Sequence, residues 1–180
     1  EGKKRVAYIT DPNGANYAND IKILPMLKAC DPLFVYEVDA TKTNVDLADF
    51  DLIVISEVTA STATRMSSLK SIDKLTLTMK VHAYKEANGA GGWAKNGFGD
   101  NYEATTIEVT EQGKNHPIFY GVELDAASQL QMVSEVNNKA LTYMNPANFT
   151  SVIGGDIVEL ATIAGEEQCN IFEVPAGTSI

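Results

Sequence analysis

Short apolar runs separated by polar turns dominate the first half of the chain. Residues 5–10 form a β-branched and aromatic run that ends in an Asp-Pro-Asn-Gly turn signal at 11–14, which predicts a first strand leaving a sharp corner. From Asn16 to Cys30 the apolar positions recur every three or four residues, so this segment predicts a helix with Pro25 inside it. Residues 33–38 predict a second strand.

The alternation continues through the next segments. Residues 52–57 are almost continuously apolar, as in a parallel strand that is covered on both faces. A helix is predicted from Ser61 or Thr62 to about Ile72, followed by a strand from Leu75 to Val81. One face of that strand is expected to carry Leu75, Leu77, Met79 and Val81. Regular alternation of strands and helices predicts a parallel sheet with right-handed crossovers.

The second half of the chain has a different pattern. Residues 83–104 lose periodicity and are rich in glycine, which predicts a long loop. Residues 105–110 and the segments 129–136, 151–163 and 169–174 have β composition, so the C-terminal third is expected to be rich in strands.

Composition is that of a folded protein. The 180 residues are 44% hydrophobic, which provides a core for one domain spanning 1–180. The chain begins with Glu1, so either a leader has been removed or this is a piece of a longer chain. The sequence does not distinguish these two alternatives. Residues 174–180 read as an edge strand that runs on into more protein, which slightly favours a structural domain whose neighbours in a longer chain do the work.

Charge and hydropathy exclude two classes of partner. The formal net charge is -10, whereas binding to a nucleic-acid backbone requires clustered Lys and Arg. The longest apolar run, residues 52–55, is far shorter than the roughly 20 residues that cross a bilayer. We therefore predict a soluble protein that has no membrane span and does not bind nucleic acid.

The two cysteines, Cys30 and Cys169, lie far apart and in no metal-binding or CxxC spacing. We predict that each is buried, as free cysteines usually are, and a disulfide between them remains an alternative.

Three stretches resemble a known family. Residues 5–10, residues 49–57 and the motif His-Pro-Ile-Phe-Tyr-Gly at 116–121 resemble the trehalose-utilisation-type (ThuA-like) branch of the class I glutamine-amidotransferase-like fold. The likeness covers roughly residues 5–136 and extends to domains of exported Bacteroidetes proteins. It implies an α/β fold, a three-layer flavodoxin-like sandwich with a mainly parallel central sheet, and a secreted, periplasmic or cell-surface location. In this family His116 is interpreted as part of a structural corner.

The sequence departs from the catalytic members of that family. Glutamine amidotransferases carry a nucleophilic cysteine on a tight turn between a strand and a helix. Residues 80–85, which follow the fourth predicted strand, contain no cysteine, and Cys30 and Cys169 lie elsewhere. Amidotransferase chemistry is therefore not expected.

In a doubly wound sheet, ligands bind at the carboxyl ends of the strands. That edge is predicted to carry Asp11, Asn13, Glu57, His82, Tyr84 and Lys85. In a catalytic interpretation Glu57 and His82 form an acid–base pair, in which Glu57 holds or exchanges a proton with His82, and Asp11 is a further catalytic residue. In the alternative, His82 is a buried or hydrogen-bonded histidine at a strand end and Glu57 caps the next helix.

The predicted loop carries aromatic residues among its glycines. The aromatic side chains of this loop are candidates to stack on a sugar ring: Tyr84, Trp93, Phe98 and Tyr102. Of these, we assign Tyr84, Trp93 and Tyr102 to ligand binding. Alternatively, the same side chains pack the loop against itself or the sheet edge.

No cofactor or metal is predicted. The loop after the first strand has a carboxylate and a proline where a flavin-phosphate loop needs backbone N–H groups. The oxygen-rich stretches do not match the spacing of a calcium loop, and P-loop, dinucleotide, serine-hydrolase and zinc-protease motifs are absent from the sequence.

These observations leave three functional hypotheses. The first is a non-catalytic accessory or binding domain of an exported bacterial protein that contacts carbohydrate or a neighbouring domain. The second is a ThuA-like enzyme that acts on sugar derivatives. The third is a purely structural domain.

Overall fold

The computed structural model describes residues 2–84, 97–134, 141–147 and 157–175. The chain divides into an N-terminal unit, Glu1–Gly91, and a C-terminal unit, Gly92–Ile180. Each unit is described by itself below. The assignment of the whole chain to one domain stays a prediction.

The described part of the N-terminal unit contains a parallel sheet of four strands in the order β2-β1-β3-β4. The elements are β1 (Lys4–Thr10), α1 (Tyr17–Ala29), β2 (Leu33–Asp39), β3 (Leu52–Ile55) and β4 (Leu75–Thr78), with 3-10 helices at Leu47–Asp49, Thr64–Ser71 and Val81–Tyr84. The predicted strand, helix and strand at the start of the chain are confirmed, including Pro25 inside α1.

The helix predicted from Ser61 or Thr62 to Ile72 is instead a 3-10 helix over Thr64–Ser71. Two of its serines bond to carbonyls three residues earlier: the Ser67 hydroxyl donates to Thr64 O at 3.0 Å and the Ser68 hydroxyl to Arg65 O at 2.7 Å. Such local bonds compete with the regular α-helical ladder, which accounts for the tighter helix.

The central strands of this sheet are covered on both faces. Residues 6–10 of β1 and residues 53–55 of β3 are all buried, as the continuous apolar run predicts. One core cluster joins β1, β2 and β3 to Leu24 of α1. The members of this cluster are Val6, Tyr8, Leu24, Val35 and Val54.

The fourth strand differs from its prediction. β4 ends at Thr78, so Val81 lies in the following 3-10 helix and not on a strand face. Leu75 is 74% exposed and Leu77 is also exposed, and β4 lies at the edge of the sheet, where it pairs only with β3 among the described strands. The alternating pattern identified the strand but not its position at the sheet edge.

The described part of the C-terminal unit contains a six-stranded sheet in the order β5-β8-β10-β9-β6-β7, and its recorded pairings are antiparallel. The elements are β5 (Phe98–Asn101), β6 (Thr106–Val109), α2 (Glu111–Lys114), a 3-10 helix at Pro117–Phe119, β7 (Gln129–Gln131), β8 (Leu141–Met144), β9 (Val158–Ile163) and β10 (Cys169–Glu173). The prediction of a strand-rich C-terminal third is confirmed. With the parallel sheet, this gives a mixed α/β chain.

Two parts of the predicted loop at 83–104 have regular structure: residues 83 and 84 end a 3-10 helix, and residues 98–101 form β5. A side chain at Gly99 would meet the Tyr143 ring, since an added Cβ would lie 2.5 Å from its Cζ. This glycine therefore permits close packing within a strand, although glycines in sequence suggested a loop.

The His-Pro-Ile-Phe-Tyr-Gly motif forms a corner beside the antiparallel sheet. His116 caps the 3-10 helix Pro117–Phe119, because its Nδ1 accepts a hydrogen bond from Ile118 N at 3.2 Å. Its Nε2 lies 3.0 Å from Glu173 Oε2 on β10. The corner interpretation of His116 agrees with these contacts.

The two cysteines differ in burial. Cys169 is fully buried on β10, and burial is the main reason that the pKa of its thiol rises to about 12. Cys30 is exposed at the end of α1, so the prediction of its burial is wrong. Both are free thiols.

Among the described residues, no helix has the length and apolar character needed to cross a membrane.

Candidate functional site

The sheet order brings the ends of three strands together. β1, β3 and β4 are adjacent and parallel, so Asp11, Glu57 and residues 81–84 follow the strands at one edge. The chain leaves β1 for β2 on one side of it, and β3 lies on the other side. This reversal is the place where open α/β sheets usually form a ligand crevice.

At the end of β1, Asp11 organises its own turn. Its Oδ1 accepts a hydrogen bond from Asn13 N at 3.2 Å, and its carbonyl accepts one from Gly14 N at 3.0 Å. Asn13 is exposed. These bonds are those of an Asx turn, which shapes the corner without a ligand.

At the end of β3, Glu57 forms an ion pair with Lys80. Its Oε1 lies 2.9 Å from Lys80 Nζ, and the Glu57 side chain is 58% exposed. Glu57 does not cap the next helix, whose N-cap residue is Ala63. Both sequence interpretations of Glu57 therefore missed its partner, which lies beyond the neighbouring strand.

After β4, His82 and Tyr84 lie in the 3-10 helix Val81–Tyr84. His82 is half-buried. Tyr84 is buried, and that burial raises the pKa of its phenol to about 12. The Tyr84 ring is thus part of the packing of this helix. Lys85 and Trp93 lie outside the described residues.

Tyr102 follows β5 in the C-terminal unit and is 57% exposed. The turn beneath it is fixed by Asn101, whose Oδ1 accepts hydrogen bonds from Glu103 N and Ala104 N at 2.9 Å. An exposed ring on a fixed turn can stack on a flat ligand with little loss of conformational entropy.

Directly under the edge of the parallel sheet lies a buried carboxylate that the sequence interpretation did not assign to the site. Asp20, on α1, is 1% exposed. Its Oδ1 accepts hydrogen bonds from the Tyr8 hydroxyl at 2.8 Å and the Ser56 hydroxyl at 2.6 Å, and its Oδ2 accepts one from the Thr10 hydroxyl. The acid therefore ties α1 to β1 and β3.

The surroundings of Tyr8 keep its hydroxyl available as a hydrogen-bond donor to Asp20. Burial raises the pKa of Tyr8 to about 12; the Asp20 contact also raises it, while the Ser56 contact acts in the opposite direction. Tyr8 consequently stays protonated as a donor to Asp20 at neutral pH.

A sequence signal for Asp20 did exist. Asp20 stands three residues after Tyr17 and four before Leu24, on the helical period that predicts the buried face of α1. An acid on a buried face requires donors, and those donors come from β1 and from Ser56, which directly follows β3. Their identity could not be read from the local sequence, because Ser56 is 36 residues from Asp20.

Within the described residues, no cluster of three or more histidine, cysteine or acidic side chains is arranged to hold a metal ion.

A scan against protein-family models gave no match, and searches of curated proteins and of solved structures gave none either.

Proposed function

We propose that this chain is a non-catalytic binding or accessory domain of an exported bacterial protein, related to the ThuA-like branch of the glutamine-amidotransferase-like fold. The observation that carries the proposal is the pairing of polar groups at the strand-end edge. Asp20 accepts three hydroxyl donors, Glu57 pairs with Lys80 and Asp11 holds its own turn. Groups engaged in this way support the fold more readily than they transfer protons to a substrate.

The sheet order supports the fold part of the proposal. The order β2-β1-β3-β4 is the one with which flavodoxin-like sheets begin. The buried faces of β1 and β3 are also those expected in a three-layer sandwich.

Carbohydrate is the ligand class that we propose, with contacts from Trp93 and Tyr102. The exposure of Tyr102 on a fixed turn supports this assignment, since sugar rings bind to accessible aromatic faces. Neighbouring domains of a longer chain are the alternative partner.

A glycan array followed by calorimetry tests the binding function. On the array, the wild-type protein is expected to bind particular glycans. In calorimetry, Trp93→Ala and Tyr102→Ala are each expected to weaken that binding by about tenfold, which corresponds to the loss of one stacking contact. Tyr120→Ala is the matched control, because Tyr120 is a 95% exposed tyrosine of the same unit that has no assigned role. An array without binders, or equal losses in all three variants, would contradict the carbohydrate assignment.

One observation favours the enzyme alternative: parallel neighbouring strands place Asp11, Glu57 and His82 after β1, β3 and β4 at one edge. Turnover assays on sugar derivatives with wild type, Glu57→Gln and His82→Asn separate the alternatives. A binding domain gives no turnover in any of them, whereas turnover in wild type that both variants abolish would establish the enzyme. A purely structural domain would give neither turnover nor glycan binding.

A further inference from the structure

A second feature of the N-terminal unit is a pocket that none of the candidate-site residues lines. A partly open pocket of about 450 Å³ lies between the β2–β3 connection and the 3-10 helix Thr64–Ser71. Val45, Leu47 and Ile72 give it apolar walls, and Thr43 and Asn44 contribute exposed polar groups. Its size and its mixed lining are those of a small-molecule site.

Arg65 lines this pocket and is buried, with only 2% of its surface exposed. Its Nη1 donates a hydrogen bond to Val45 O at 3.0 Å, which holds the guanidinium against the loop. Its Nε and Nη2 are buried and have no hydrogen-bond partner among the residues that the structure describes. Buried polar groups are normally paired, so two open donors on one charged group call for an explanation.

The two open donors form one edge of the guanidinium plane. Nε and Nη2 point in the same direction, and this edge binds a carboxylate or phosphate through two parallel hydrogen bonds. The third guanidinium nitrogen, Nη1, is already bonded to Val45 O.

Neither nearby carboxylate supplies the missing partner. Burial lowers the pKa of Arg65, and the negative charge of Asp39 acts in the opposite direction. Asp39 is itself engaged, however: Oδ1 accepts from Thr41 N at 2.8 Å and from the Thr41 hydroxyl at 2.6 Å, and Oδ2 lies 3.0 Å from Lys42 Nζ. Asp46, which also lines the pocket, accepts a hydrogen bond from Ala48 N at 2.9 Å.

From this geometry we infer that the pocket binds a small organic carboxylate, whose two oxygens accept hydrogen bonds from Arg65 Nε and Nη2. The carboxylate of Asp46 in the same pocket disfavours a phosphate dianion more strongly than a monoanion. The walls formed by Val45, Leu47 and Ile72 suit an apolar or partly apolar body attached to the carboxylate. Both donors lie beneath the pocket surface, so carboxylate binding requires the Arg65 side chain to move towards the pocket.

The direct test is a titration followed at the Arg65 Nε–H resonance in the proton–nitrogen NMR spectrum of the whole chain. The probes are lactate and benzoate as carboxylates, lactamide and benzamide as their uncharged matches, and inorganic phosphate. We expect a saturable downfield shift with at least one carboxylate, no shift with the amides and a weaker response to phosphate, because only the carboxylates combine one charge with the fork geometry.

A pair of charge variants sharpens the test without touching Arg65. Asp46→Asn keeps the acceptor oxygen for Ala48 N and removes the negative charge from the pocket, so carboxylate binding should tighten by about threefold. Asp49→Asn is the matched control, because it removes one exposed charge from the same 3-10 helix without lining the pocket. It should leave the affinity unchanged.

Arg65→Lys keeps the charge but loses the planar fork, and it should weaken carboxylate binding by at least about tenfold. If that variant fails to fold, the Asp46→Asn and Asp49→Asn pair still decides the result. The proposal is overturned if neither carboxylate moves the Arg65 resonance in wild type or in Asp46→Asn, if the amides bind equally well, or if phosphate binds more tightly than both carboxylates.

Discussion

Two buried charges in the N-terminal unit have opposite surroundings. Asp20 is 1% exposed and accepts hydrogen bonds from three hydroxyl groups, those of Tyr8, Thr10 and Ser56. Arg65 is equally buried, yet within the described part of the chain only one of its three guanidinium nitrogens has a hydrogen-bond partner. A buried charge whose bonds are all made supports the fold, whereas one with open bonds is suited to a ligand.

The difference has an energetic basis. Each buried polar group that is left unpaired costs roughly 1–3 kcal/mol, and more when the group is charged. A fold keeps such a group when something else selects for it, and binding sites are a common reason. Asp20 therefore represents the scaffold of the unit, and Arg65 a place where the scaffold is incomplete without a ligand.

The largest expected effect is on the closed side of the comparison. Asp20→Ala leaves the hydroxyls of Tyr8, Thr10 and Ser56 without their acceptor in a buried position, so unfolding free energy should fall by about 3–5 kcal/mol. Ser56→Ala removes one donor and should cost about 1–2 kcal/mol. Urea denaturation monitored by circular dichroism measures both. A loss below about 1 kcal/mol for Asp20→Ala would mean that the network is not a structural centre.

A smaller, pH-dependent effect is expected at Asp39, the carboxylate whose charge acts on Arg65. The Thr41 hydroxyl, more than the Thr41 backbone N–H and Lys42, lowers the pKa of Asp39 from 3.8 to about 2. Because the folded pKa lies below the unfolded one, this contribution is fully present above about pH 4 and is lost as the pH falls through about 2.

Thr41→Val removes the hydroxyl and should raise the pKa of Asp39 towards its ordinary value. The unfolding free energy should fall by about 1 kcal/mol at neutral pH, and this loss should disappear in strong acid. Carboxyl NMR titration gives the pKa, urea denaturation from neutral to acid pH gives the stability, and the exposed Thr62→Val serves as control. An unchanged Asp39 pKa would show that Thr41 does not hold this carboxylate away from Arg65.

Arg65→Met is expected to change the unfolding free energy by no more than about 1 kcal/mol in either direction, as measured by urea denaturation. The variant removes a buried charge, which favours stability, together with the hydrogen bond to Val45 O, which opposes it. Because Asp20 and Arg65 are equally buried, the stability of this variant shows directly whether their hydrogen bonding differs. A loss of 3 kcal/mol or more would place Arg65 in a closed network like that of Asp20.

The smallest expected effect is that of Glu57→Gln. The ion pair with Lys80 is partly exposed, so removing it should cost no more than about 0.5 kcal/mol in unfolding free energy and less at high salt. Denaturation in low and high salt measures this difference. A salt-independent loss of unfolding free energy above about 1 kcal/mol would mean that Glu57 supports the fold through contacts other than the one with Lys80.

The sequence was sufficient for the elements that periodicity defines. The apolar run at 52–57 identified β3 and its double-sided burial, and the spacing from Asn16 to Cys30 identified α1. Gly99 misled the prediction for 83–104, because a glycine that fits beneath the Tyr143 ring is indistinguishable in sequence from one in a loop.

The candidate sites were harder to predict than the elements. Strand-end positions such as Asp11 and Glu57 follow from topology alone, but their partners do not: Lys80 is 23 residues from Glu57, and Ser56 is 36 residues from Asp20. Arg65 carried no local signal, since a basic residue beside Met66 in a helical segment is ordinarily expected to be exposed.

A high-resolution crystal structure of the whole chain grown with millimolar lactate or benzoate tests the distinction between these two charges most directly. We expect carboxylate density about 2.7–3.0 Å from Arg65 Nε and Nη2, with the hydrogen bonds of Asp20 to Tyr8, Thr10 and Ser56 unchanged. This expectation is contradicted if Arg65 Nε and Nη2 are paired with protein groups in an empty pocket, or if the carboxylate binds at the strand ends beside Asp11 and Glu57 instead.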